Sequence, residues 1–290
     1  MADMILCAVD DSEAAGRVYD VARWLADALG GALVVVHAVG SRDRVADEVV
    51  MSVRGRLSGT GVTPDVRLVD GPPAQGIMET ADREGAELLV IGTRGRGSLR
   101  SAVLGSVSRE LAASAPCPVV IVPPGERGAE AVSAVEGADA SVVCGVDGSD
   151  QALAAAALAG RLATRLRSRL VLVHARQNLR AVAAYPGARQ TTPPVTGQED
   201  AVQGLVDKVI EDAEGAAGVS AVAVVEPGPP AKVLETVADR EGARLIVIAA
   251  RGVGALRAAL LGSVAADLPM ATERPVVVLS ARAALPRSGS

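Results

Sequence analysis

Residues 88–95 read Leu88-Leu89-Val90-Ile91-Gly92-Thr93-Arg94-Gly95, and after nine intervening residues stand Gly105 and Ser106. An apolar run that stops on glycine, then a small-residue pair, then a helical pattern is a strand passing through a loop into a helix. Glycines bring backbone close to a ligand, and the free N–H groups of a helix start attract phosphate. The arrangement recurs as Leu245-Ile246-Val247-Ile248-Ala249-Ala250-Arg251-Gly252, nine residues, then Gly262-Ser263.

The repeat reaches across nearly the whole chain. Cys7, Asp10 and His37 match Cys144, Asp147 and His174 at an offset of 137, whereas Gly71, Gly95, Gly105 and Pro118 match Gly228, Gly252, Gly262 and Pro275 at 157. The second copy therefore carries 20 extra residues between its second strand and its Gly-Pro-Pro turn. Residues 181–198, rich in Pro, Thr, Gly and Gln, are that insertion and read as a loop.

Around the repeated motif, apolar runs stand at 4–9, 32–39, 66–69, 88–91 and 118–122, and again at 142–146, 170–174, 221–225, 245–248 and 276–279. Near-continuous Val/Ile/Leu runs separated by helix-length segments predict a parallel sheet covered on both faces. The expected fold is α/β: two tandem domains, each a β-α-β-α-β-α-β-α-β unit with right-handed crossovers. The boundaries expected are 1–123 for the first domain, 124–140 for a polar linker and 141–290 for the second. Ser12 and Ser149 are expected to cap the first helix of each half.

Composition narrows the function classes. The 290 residues are 49% hydrophobic and 22% charged, the profile of a folded globular chain of about two domains. A net charge of −5 and 1% aromatics leave neither a phosphate-neutralising face nor a base-stacking platform, so nucleic acid is not an expected partner. No apolar run approaches the ~18 residues of a membrane span, and the chain passes from Met1 almost directly into a strand. No membrane contact and residence in the cytoplasm are expected. Cys7, Cys117 and Cys144 read as buried, reduced small residues.

In open α/β sheets ligands sit beyond the carboxyl ends of the strands. Asp10 with Gly92–Gly95, and Asp147 with Ala249–Gly252, should therefore line one crevice per half. Gly105-Ser106 and Gly262-Ser263 add N–H groups and a hydroxyl for a phosphate oxygen. Arg94 and Arg251 are candidate phosphate-facing cations, and Arg100 and Arg257 recur nearby. Ala249 stands where the first copy has Gly92; a positive φ there would cost alanine ~1–2 kcal/mol, and its methyl narrows the approach in any case. The paired His37 and His174 are assigned a structural role. A Gly-x-x-x-x-Gly-Lys-Ser/Thr loop, a dinucleotide fingerprint after strand one, a Ser/His/Asp or Cys/His constellation and metal-ligand spacing are all missing from the sequence.

These residues resemble the universal stress protein family in its tandem form. The pieces that carry the likeness are Ile5-Leu6-Cys7-Ala8-Val9-Asp10, Val34-Val35-Val36-His37-Ala38, Gly71-Pro72 and the Gly92/Gly95/Gly105-Ser106 spacing, with their second-half counterparts. The motif is that of the ATP-binding branch. The resemblance implies two tandem Rossmann-like domains, each a five-stranded parallel sheet of order 3-2-1-4-5 with helices on both faces, and ATP as the ligand, with room for Mg²⁺ at the phosphates. Asp10 and the backbone of Ala38 would face adenosine, and Gly92, Gly95, Gly105, Ser106 and Val107 would surround the phosphates. The second set is Asp147, Ala175, Gly252, Gly262, Ser263 and Val264. Two positions depart from the pattern, Asp11 where the family usually has Gly, and Ala249, so a difference in affinity between the halves is expected.

The resemblance also implies that the last strands of the halves, 119–122 and 276–279, meet about a pseudo-twofold, which would cover two apolar edges. A homodimer of the whole chain and a separate protein partner are further expectations. The expected activity is nucleotide occupancy without turnover, with a nucleotide-free interaction module and a slow ATPase as alternatives.

Overall fold

The computed structural model describes residues 4–10, 12, 14–39, 50–51, 54–55, 65–93, 103–124, 140–176, 198–252 and 261–283. The first half runs β1 (Met4–Val9), α1 (Ala15–Leu29), β2 (Ala32–Val39), β3 (Asp65–Asp70), α2 (Pro73–Arg83), β4 (Ala86–Gly92), α3 (Ser106–Ser114) and β5 (Val119–Val122). The second half runs β6 (Ser141–Gly145), α4 (Asp150–Arg165), β7 (Arg169–Arg176), α5 (Gln198–Ala217), β8 (Ala221–Pro227), α6 (Pro230–Arg240), β9 (Ala243–Ala249), α7 (Ser263–Ala271) and β10 (Val276–Leu279).

Each half has the expected order 3-2-1-4-5, and the two are joined into one sheet, β3-β2-β1-β4-β5-β10-β9-β6-β7-β8. All neighbours pair in parallel except β5 and β10, which run antiparallel with Val120 opposite Val277 at the centre of three paired residues. This is the seam that the family resemblance implied, made by the two apolar last strands. It continues the sheet where each half would otherwise end.

Period-two alternation sorts the strand residues onto two faces. Ile5, Cys7 and Val9 pack with α1, in the same core as Val142, Cys144 and Val146 packed with α4. Leu6, Leu89, Ile91, Val119 and Ile121 share the other core with Val143, Ile246, Ile248, Val276 and Val278. Both cores cross the seam, so the strands are buried on both faces, which is why they read as continuous apolar runs.

Local sequence decides where the first helices start. Gly148 holds φ +83°, and Ser149 caps α4 by accepting the Ala152 N–H at 3.2 Å. In the first half the matching position is Asp11, outside the described residues, and the expected Ser12 cap is not formed. The N-cap of α1 is Ala14, with no side-chain bond; the Ser12 carbonyl instead takes the Ala15 N–H at 3.2 Å in a tight turn. Glycine takes the left-handed backbone that sets up the Ser149 cap without steric cost, and α1 opens two residues later in register than α4.

The loop expected over 181–198 ends one residue early, because Gln198 already belongs to α5. Residues 181–197 and 125–139 of the expected linker lie outside the described residues.

Candidate functional site

At the carboxyl ends of β1 and β4 the sheet opens into a hollow of about 470 Å³. Asp10, Ala38, Gly92, Gly105, Ser106 and Val107 all line it. The remaining candidates of this half, Arg94 and Gly95, lie outside the described residues, as do Arg96, Gly97 and Arg100. A second hollow of about 610 Å³ occupies the same place beyond β6 and β9. Asp147, Ala175 and Arg251 line it, together with Gly252, Gly262, Ser263 and Val264. Val253, Gly254 and Arg257 lie outside the described residues. Both volumes fall within the ~300–1,000 Å³ of small-molecule sites.

The floor of each hollow is tied together by the paired histidines. His37 Nδ1 donates to the Val9 carbonyl at 3.0 Å, locking the ends of β1 and β2, and His174 does the same to Val146 at 2.9 Å. Above the floor the acidic residues fold back on their own loops. Asp10 Oδ1 accepts the Ser12 N–H at 3.1 Å; Asp147 Oδ1 accepts the Ser149 N–H at 3.0 Å and its hydroxyl at 2.7 Å. Asp147 Oδ2 lies where a Cβ on residue 252 would stand, so an added side chain there would overlap it.

The opposite wall is a helix start. The Gly105 N–H donates to the Thr93 carbonyl at 2.9 Å, and the Gly262 N–H to the Ala250 carbonyl at 2.8 Å. These bonds fold each chain back onto the end of its strand. Gly105 and Gly262 are the N-caps of α3 and α7, and neither helix has a side-chain cap. The first N–H groups of both helices thus have no intrahelical acceptor and no capping side chain, in positions that line a hollow. A side chain at 262 would crowd the Ala250 carbonyl at 3.1 Å.

Neither Gly92 nor Ala249 has a positive φ. Ala249 sits at the strand end without backbone strain, and the second hollow stays open despite its methyl. Sequence reasoning did not anticipate several lining residues. Pro73 and Ile77 of α2 and Leu111 of α3 wall the first hollow, and Pro230 and Leu234 of α6 wall the second. The Gly71-Pro72 and Gly228-Pro229 turns that launch α2 and α6 were the available signal. Ser108 carried none: its hydroxyl donates to the Gly92 carbonyl at 2.8 Å.

Among the described residues no three His, Cys, Asp or Glu gather to hold a metal ion, and no helix is long and apolar enough to cross a membrane. The three thiols are free and buried.

A doubled, doubly wound α/β chain with an open crevice at each switch point is the class of protein these features define. The family model described as the Universal stress protein family matches residues 43–123 and 140–280. A universal stress protein of Thermus aquaticus is 39% identical over 135 residues, covering 41% of this chain and 96% of that protein. One from Mycobacterium tuberculosis is 32% identical over 211 residues, covering 73% of this chain and 67% of its own. The crystal structure of a universal stress protein from Archaeoglobus fulgidus superposes with a TM-score of 0.66 at 21% identity, covering 97% of this chain and 99% of that one. The chain belongs to the universal stress protein family.

Proposed function

We propose that this chain is a cytoplasmic ATP-binding stress-response protein whose two crevices act by being occupied. The observation that carries the reading is the pairing, in both halves, of an open hollow with a helix start capped only by glycine. The N–H groups of Ser106 and Val107, and of Ser263 and Val264, would receive the phosphates. Asp10 and Ala38, and Asp147 and Ala175, would face adenosine. Arg94 and Gly95 complete the first set, and Arg251 and Gly252 the second.

ATP supplies the polyphosphate charge that such amides attract. A divalent ion would be held by its phosphate oxygens, since no carboxylate cluster is available among the described residues. Of the titratable side chains lining the first hollow, His37 is engaged with the Val9 carbonyl and Asp10 with its own loop. A site built mainly of backbone donors holds a ligand without moving a proton, and this favours occupancy over turnover.

The test is the thermal midpoint of the full chain with millimolar ATP, for the parent and for the double variant Ser106→Trp, Ser263→Trp, with ADP measured in the same samples. The reading predicts a rise in the parent, none in the variant, and background ADP. No rise in the parent supports the nucleotide-free interaction module. ADP that accumulates in the parent and not in the variant supports a slow ATPase.

A further inference from the structure

We propose that Ser108 is a positioning residue that makes the first hollow the tighter of two nucleotide sites, an inference that rests on the nucleotide reading above. Ser108 is the third residue of α3 and is 6% exposed. Its hydroxyl donates to the Gly92 carbonyl at 2.8 Å, where β4 ends. Beside it the Gly105 N–H donates to the Thr93 carbonyl at 2.9 Å. Two hydrogen bonds thus clamp the helix start to the strand end, and both lie in the walls that phosphates would touch.

The second half keeps one of the two. The Gly262 N–H donates to the Ala250 carbonyl at 2.8 Å, but the register of Ser108 is filled by Ala265, a methyl 1% exposed. The carbonyl opposite it belongs to Ala249. The second hollow is also the larger, about 610 Å³ against about 470 Å³. A ligand that bridges two walls binds more weakly when it must also fix their separation. One buried hydrogen bond of clamp corresponds to about a three- to tenfold difference in affinity.

The test is isothermal titration of ATP into full-length single-site proteins. Ser263→Trp leaves the first hollow, and Ser106→Trp leaves the second; the nucleotide-free thermal midpoint of each variant is recorded alongside. The first hollow is expected to bind more tightly. Adding Ser108→Ala should weaken it about three- to tenfold, while Ser108→Thr, which keeps the hydroxyl, restores it. Adding Ala265→Ser should tighten the second hollow by a similar factor, an effect that general stabilisation of the first half does not produce.

Unchanged affinity on both swaps overturns the inference and leaves the nucleotide reading standing. If Ser108→Ala does not fold, the Ala265→Ser arm decides alone. Absence of heat in the parent and in both single-site proteins overturns the nucleotide reading itself, and this inference with it.

Discussion

Asp147 and Gly252 meet so closely that neither position is independent of the other. The carboxylate is held by the Ser149 N–H and hydroxyl, and its second oxygen lies where a Cβ on residue 252 would be. Gly252→Ala is expected to displace the carboxylate, lower stability by about 1–3 kcal/mol and weaken nucleotide binding in the second hollow only. Denaturant unfolding, together with titration of the Ser106→Trp background, checks both effects.

The three thiols are shut away from solvent in the cores. Burial pushes Cys117 and Cys144 up from 9.0 to about 12 and Cys7 further still, where Asp20 adds to the effect of burial. A raised thiol pKa favours the folded state below pH 9, and this contribution is lost as pH climbs from 9 towards about 12. A thiol reagent at pH 8 should therefore label none of the three cysteines in the native protein and all three in denaturant. The burial of these residues was legible because two of them repeat at strand positions. That Asp147 and Gly252 share a crevice was legible from the strand ends; the close approach of the carboxylate to Gly252 was not, since it joins loops 105 residues apart and depends on a side-chain rotamer.

Helix ends show how the two copies diverged. After α1 the chain turns through Gly30 at φ +63°; in the second copy the same register is Arg167 at φ +51°. Only glycine takes this backbone without steric strain, so Arg167→Gly is expected to stabilise the chain by about 1 kcal/mol. The shift in urea midpoint at constant slope measures it.

Strands were the most legible elements, because burial on both faces writes them as uninterrupted Val/Ile/Leu runs. Expected and observed strand limits agree within two residues. Helix starts were less legible. Ser12 and Ser149 look alike in sequence, yet only Ser149 follows a glycine that can turn left-handed.

The molecule as a whole is one sheet with two cores, each running unbroken from one half into the other. Further ties cross between the halves. Ser280 Oγ donates to the Ala115 carbonyl at 2.6 Å, and Arg165 bonds Glu87 at 2.8 Å while also reaching the Leu29 carbonyl. Burial lowers the pKa of the neighbouring Arg161, and Glu87 opposes the shift. These ties had no sequence signal, because their partners do not repeat: Arg165 matches Ala28, and Glu87 matches Arg244, at the offsets of the duplication. The β5–β10 seam, by contrast, was implied by the resemblance to tandem universal stress proteins, and two apolar last strands that each needed a neighbour fitted it.

Shared cores imply shared unfolding. Ile121, fully buried and opposite Val276 at the seam, should cost about 2–5 kcal/mol on replacement by alanine. Calorimetry is expected to give a single transition in the parent and a single, lower one in Ile121→Ala. Two separated transitions in the parent would mean that the halves unfold independently.

The claim on which the functional account turns is that the main-chain amides beyond β4 and β9 receive a nucleotide. Isothermal titration of ATP into the purified, nucleotide-stripped full chain tests it most directly. Heat that saturates below millimolar ATP, with up to one nucleotide bound per hollow, is expected; a flat titration up to millimolar ATP would mean that these amides receive no nucleotide.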